Sequence, residues 1–139
     1  MTFEQLAQEL PNGLHDAQLL SIKRSFEDES LILAVRVLVG LPDNPRETRS
    51  EYRNAAITYT GVKLFVIENP DASSAFLAPG GLSFSAGRSE PGTFSPEIEQ
   101  KLTNSTETYS FFILDWLSRI HIAASGISFA WDSELTISK

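Results

Sequence analysis

Cysteine is absent from the chain, so it can form no disulfide, offers no thiolate nucleophile and cannot build a cysteine-based zinc site. Histidine occurs only twice, at His15 and His121, a poor supply of soft metal ligands, and neither a bound metal nor a cofactor is expected. Basic residues are also scarce: 11 Lys and Arg stand against 18 Asp and Glu, a net charge of −7. An acidic surface repels phosphate backbones, so nucleic acid is not an expected partner, whereas a basic protein is. Long apolar runs are missing too. Residues 31–39 are too few to cross a bilayer, and 111–124 is interrupted by Asp115, Arg119 and His121, so no membrane association is expected. The N-terminus lacks a basic stretch followed by an apolar one, which reads as a cytoplasmic protein without a secretory signal. Nucleophile and phosphate signatures are likewise absent. There is no G-x-S-x-G, and Gly80-Gly81 and Gly87 complete no phosphate loop.

What remains is ordinary for a globular chain: 42% hydrophobic and 21% charged residues over 139 positions, enough for one domain spanning 1–139 with its own core. Thr2 opens a capping box with Gln5, and Phe3, Leu6, Ala7 and Leu10 recur at helical spacing up to Pro11. The run 31–39 reads as a strand covered on both faces or nearly so. Its expected partner is 14–26 across the acidic loop Glu27-Asp28-Glu29-Ser30. That register sets Phe26 against Leu31, Ile22 against Val35 and Leu20 against Val37. The apolar phase slips near Leu19-Leu20, where a bulge would bring Ala17 and Leu19 to the core side.

Further along, 51–59 alternates with Ala55, Ile57 and Tyr59 on one face, and Thr60-Gly61 reads as a turn setting Ile57 against Leu64. One helical turn is expected at 72–77, a short strand at 82–86 and a short helix from Ser95-Pro96. Residues 108–114 read as a strand. Ser125-Gly126 reads as a hairpin turn with Ile120, Ile122, Ala124, Ile127, Phe129 and Trp131 on the core face. That register puts Arg119 against Asp132 and His121 on the polar face. The expected fold class is α+β, mainly antiparallel sheet built from hairpins, with an N-terminal helix and one or two short helices.

Two pairs of residues are candidates for binding. His15 and Asp16 would form a dyad only if the chain bends there, since strand neighbours point to opposite faces; otherwise they serve a turn after Pro11-Asn12-Gly13. Asp115-Trp116 could be an aromatic anchor beside a carboxylate, or a bend with a core tryptophan. Glu27-Asp28-Glu29 is either a docking patch or a solvated tip. No catalytic residue and no metal ligand is assigned.

The element Asn12-Gly13-Leu14-His15-Asp16, followed by Leu20 and Ile22, resembles the first strand of a set of small uncharacterised bacterial proteins. Some of these are grouped with immunity proteins of polymorphic toxin systems. Thr60-Gly61-Val62 and residues 115–124 are similar to the same set. The resemblance implies an α+β fold with no established catalytic role. Together these readings give an expected function: a non-catalytic, immunity-like interaction domain that binds a basic protein through its acidic surface. The alternative is a small-molecule binder or minor enzyme with a pocket near His15 and Asp16.

Overall fold

The structure, a computed structural model, describes residues 2–41, 43–47, 51–69, 79–88, 95–103 and 107–132. It opens with α1 (Phe3–Glu9), capped as the sequence predicts: Thr2 Oγ1 accepts the Gln5 N–H at 3.1 Å and Gln5 Oε1 accepts the Thr2 N–H at 2.8 Å. Phe3, Leu6 and Leu10 are buried, so the helical stripe faces the core. Pro11 ends the helix and begins the short β1 (Pro11–Leu14). The Asn12 amide ties it down by donating to the Leu38 and Gly40 carbonyls at 3.0 and 2.8 Å.

Strands β2 (Gln18–Ser25) and β3 (Ser30–Leu38) form the first antiparallel pair. Ile22 faces Leu33, not Val35 as expected. The loop runs from Phe26 to Glu29, one residue earlier than the acidic cluster suggests, so the register slides by two and the side chains from Ser21 to Ser25 keep their faces. The bulge lies where the phase slips, between Leu19 and Ser21. It turns Leu19 inward and Leu20 outward, correcting the expected Leu20–Val37 pair, and Ala17 joins the core. On β3, Leu31, Leu33, Val35 and Val37 are buried while their alternates are half-buried, so one face carries the core.

Strand β4 (Tyr52–Thr60) pairs with β3 along its length and buries Ala55, Ile57 and Tyr59 as expected. Beyond it come β5 (Leu64–Ile67), β6 (Leu82–Arg88), α2 (Pro96–Thr103), β7 (Glu107–Ile113), β8 (Ser118–Ala124) and β9 (Gly126–Trp131). The helical turn expected at 72–77 lies outside the described residues. The fold is α+β: the described residues form an eight-stranded, mostly antiparallel sheet with an N-terminal helix and one short helix, ordered β5-β8-β7-β6-β2-β3-β4-β9.

Two expected hairpins are not made. β4 pairs with β9, and β5 pairs with β8. Thr60-Gly61 and Ser125-Gly126 therefore bend the chain instead of reversing it. Arg119 consequently faces Phe112 across β7, not Asp132, and Phe65 rather than Leu64 packs towards the core. The register of β4 on β9, with Thr60 opposite Gly126, continues into β5 on β8, with Leu64 opposite Ala123, offset by a single residue. One long ribbon thus bends through a shared corner. There the Ser125 N–H donates to the Thr60 carbonyl at 3.0 Å and the Lys63 N–H to the Ala123 carbonyl at 2.8 Å. Because β4 adjoins β3 and β8 adjoins β7, the bent ribbon brings the two ends of the sheet together and the strands close into a barrel.

Among the described residues the barrel interior is packed with apolar side chains. The small void among Leu19, Leu33, Phe84, Phe111 and Ile120 holds about 10 Å³, too little for an organic ligand. Helix α1 closes over it, with the Phe3 ring 4.6 Å from Tyr109 and 5.7 Å from Phe111, and the Tyr109 hydroxyl donating to Glu4 Oε2 at 2.6 Å. Among the described residues, no helix is long and apolar enough to cross a membrane.

Candidate functional site

The chain between β1 and β2 bends sharply. The Ala17 N–H donates to the Leu14 carbonyl at 3.1 Å, and Asp16 takes a left-handed φ of 59°, a conformation aspartate tolerates better than most residues. This is the bend that a His15–Asp16 pair requires. It puts His15 Nε2 3.4 Å from Asp16 Oδ2, with the two side chains 81% and 60% exposed. At that exposure the contact is worth little on its own and the imidazole is solvated. The pair marks the mouth of a groove rather than a buried catalytic centre.

The groove has a volume of about 540 Å³ and runs between α1, the 14–18 bend and β6. Phe3, Leu14, Phe84 and Leu114 give it apolar walls, and Gln18, Ser83 and Ser85 add polar groups. Asp16 is the one formally charged residue among the described residues lining it. Its position follows from strand pairing. β6 pairs with β2 only through Gln18–Ser83 and Leu19–Leu82, whereas it stays paired with β7 from Phe84 to Arg88.

The second candidate pair divides. Asp115 Oδ2 accepts the Ser83 N–H at 2.9 Å and so pins the β7–β8 turn to the start of β6, beside the groove. Trp116 is half-buried and packs against the core, and it does not line the groove. The exposed apolar side chains of this turn are its neighbours, Leu114 and Leu117, at 53% and 68% exposure.

Sequence reasoning missed a second cluster. His121 lies on the outer face of β8, as its alternation requires, yet is 1% exposed. Its Nδ1 is 2.7 Å from Ser110 Oγ and its Nε2 is 3.0 Å from Glu68 Oε2, while Glu68 Oε1 accepts the Arg119 N–H at 2.8 Å. The His121 hydrogen bond holds the Glu68 carboxyl below its ordinary range. The ring thus bridges the Ser110 hydroxyl at Nδ1 and the Glu68 carboxylate at Nε2. The order hydroxyl, imidazole, carboxylate is that of an activated nucleophile. However, none of the three lines the groove and the imidazole is sealed from solvent. The arrangement stitches β5, β8 and β7 together. Glu68 stands 53 positions before His121, a spacing that signals nothing in a sequence.

No group of three or more His, Cys, Asp or Glu side chains is arranged to hold a metal among the described residues. Compared with family models, curated proteins and solved structures, the chain matches none.

Proposed function

We propose that the protein is a non-catalytic interaction domain that binds a basic protein partner through its acidic surface. The observation that carries this is the tip of the β2–β3 hairpin. There Phe26 is 86% exposed and is followed directly by Glu27, Asp28 and Glu29. Two of these acids also serve the fold. Asp28 Oδ1 accepts the Ser30 N–H at 3.1 Å, and Glu29 pairs with Lys63 at 3.1 Å. Among the described residues Phe26 and Glu27 have no such task, and the ring of Phe26 meets only the guanidinium of Arg24, 5.5 Å from its centroid. A large apolar ring inside an acidic rim has the anatomy of an interface anchor, and the net charge of −7 would steer a basic partner towards it.

The specific form of this reading is immunity-like: the partner is a toxic protein held inactive by the complex. Support comes from the sequence resemblance and from the acidic balance of the chain. The test is capture from the source cell at low salt, comparing the native chain with Phe26→Ala and Glu27→Lys. A basic protein retained by the native chain, released by salt and lost with both variants is expected. Equal capture by all three chains would sink the reading. A second reading, a small-molecule binder or minor enzyme, is favoured by the groove at His15 and Asp16. It requires a ligand whose binding is weakened by substitution at those two positions.

A further inference from the structure

We infer that the groove beside His15 and Asp16 accepts an extended segment of the partner, added as a strand along the free edge of β6, with a basic side chain of that segment placed at Asp16. This rests on the reading of the protein as a binder of a basic partner and names where part of that partner would lie.

The Ser83 carbonyl accepts the Leu114 N–H at 3.0 Å, and the Ser83 N–H goes to Asp115, so the backbone groups of Ser83 face β7. Direction alternates along a strand, so Phe84 and residue 86 turn their N–H and C=O groups the other way; the pairing of Gln18 with Ser83 takes the Phe84 N–H to the Ala17 carbonyl, which leaves the Phe84 carbonyl and the groups of residue 86 facing the groove. On that side β2 has already left β6, and among the described residues no strand pairs there beyond Ser83. The bend at 14–17 and helix α1 hold the space open instead, as a groove of about 540 Å³. A strand edge facing a preformed groove is the geometry of strand addition, in which the main chain supplies affinity and alternate side chains enter pockets.

The lining selects the occupant. Apolar walls from Phe3, Phe84 and Leu114 take alternate apolar side chains, and the sole formal charge, Asp16, favours a cation. The β7–β8 turn adds a separate indication. Leu117 is 68% exposed and holds a φ of 52°, where glycine or asparagine would be less strained. A large apolar side chain kept in solvent at conformational expense serves neither the core nor the backbone of that turn, and Leu114 of the same turn lines the groove.

The probe is a labelled heptapeptide, Thr-Val-Thr-Lys-Thr-Val-Thr, with two counterparts: one with glutamate for lysine, the other with N-methylated valines that cannot donate backbone hydrogen bonds. Binding is read by amide chemical shifts and by fluorescence anisotropy. The lysine peptide is expected to move the amides of residues 84–88 and of Leu114, and the other two are expected to bind more weakly. Asp16→Asn should weaken the lysine peptide roughly two- to fivefold, the range of one exposed ion pair. Asp16→Lys should reverse the preference between lysine and glutamate. Equal binding of the N-methylated peptide, shifts confined to other strands, or no binding by any peptide would each overturn the inference. Shifts at residues 84–88 that grow with protein concentration alone would also overturn it, by showing a second copy in the groove. Capture through the Phe26 tip does not depend on Asp16. A basic partner still held by the Asp16→Lys chain, together with failure of the peptides, would remove this inference and leave the interaction reading standing.

Discussion

The side chain of Ser125 occupies the space that a Cβ on Gly61 would need: that atom would lie 2.5 Å from Ser125 Oγ and 2.9 Å from Ser125 Cβ. The two residues form the inside of the corner where the long ribbon bends, and Gly61 is there at a φ of 60°. Gly61→Ala therefore meets both a left-handed backbone penalty and a steric overlap, and should destabilise the protein by roughly 2–4 kcal/mol. Adding Ser125→Gly relieves the overlap but not the backbone penalty, so about half of the loss should return. Chemical denaturation of the native chain and the two variants measures this. A Gly61→Ala protein as stable as the native chain would contradict the corner.

Val35 is fully buried between Leu19 and Ala55 on the neighbouring strands. Val35→Asp leaves a carboxylate without partners in the barrel, a penalty of several kcal/mol against a total stability of about 5–15 kcal/mol. The variant should be unfolded or insoluble at room temperature, as judged by circular dichroism. An unchanged melting curve would refute the placement.

Replacing His121 by alanine leaves the Ser110 hydroxyl and the Glu68 carboxylate without their shared partner and opens a hole beneath the outer face of β8. A loss of roughly 2–4 kcal/mol is expected, with His121→Gln retaining part of it through its own amide. If both substitutions leave thermal stability unchanged, the network does not hold the three strands together.

The Glu68 carboxyl is held below its ordinary value of 4.5 chiefly by the His121 hydrogen bond. Its stabilising contribution is thus present above the unfolded value and is lost as pH falls through the lower, folded one. The native chain should be more stable than Glu68→Gln near neutrality, and the gap should close between about pH 4.5 and the most acid conditions the fold survives. A gap that stays constant down to pH 3 would show that the carboxylate is not held by His121.

Much of the architecture was legible in the chain, face by face rather than pair by pair. Ile120, Ile122, Ala124 and Ile127 were placed towards the core by alternation, and they are buried. Their pairing was not legible. A Ser-Gly dipeptide followed by a switch in apolar phase describes a reversal and a sharp bend equally well. Only contacts with β4 and β5, some 65 positions earlier, decide between them. The β2–β3 register slid by two because the turn forms around Glu29, whose φ of 55° is not announced by its residue type. At the candidate site, adjacency alone revealed His15 and Asp16, while the groove beside them depends on β6 parting from β2 after two residue pairs. Alternation places His121 on the correct face but does not reveal its buried environment. Burial on an outer face needs a partner from elsewhere in the chain, and Glu68 carries no local mark of being one.

The bent ribbon also sets an order of events during synthesis. β2, β3 and β4 follow one another and can zip together as they emerge, but the outer edge of β4 finds its partner only when residues 126–131 have been made. Until then a nine-residue strand rich in β-formers stays open to any passing chain. A ribosome stalled within β8, or a nonsense codon there, would release a nascent protein with most of its core and one adhesive side. Such a product is a substrate for holdase chaperones and for co-aggregation with its own kind.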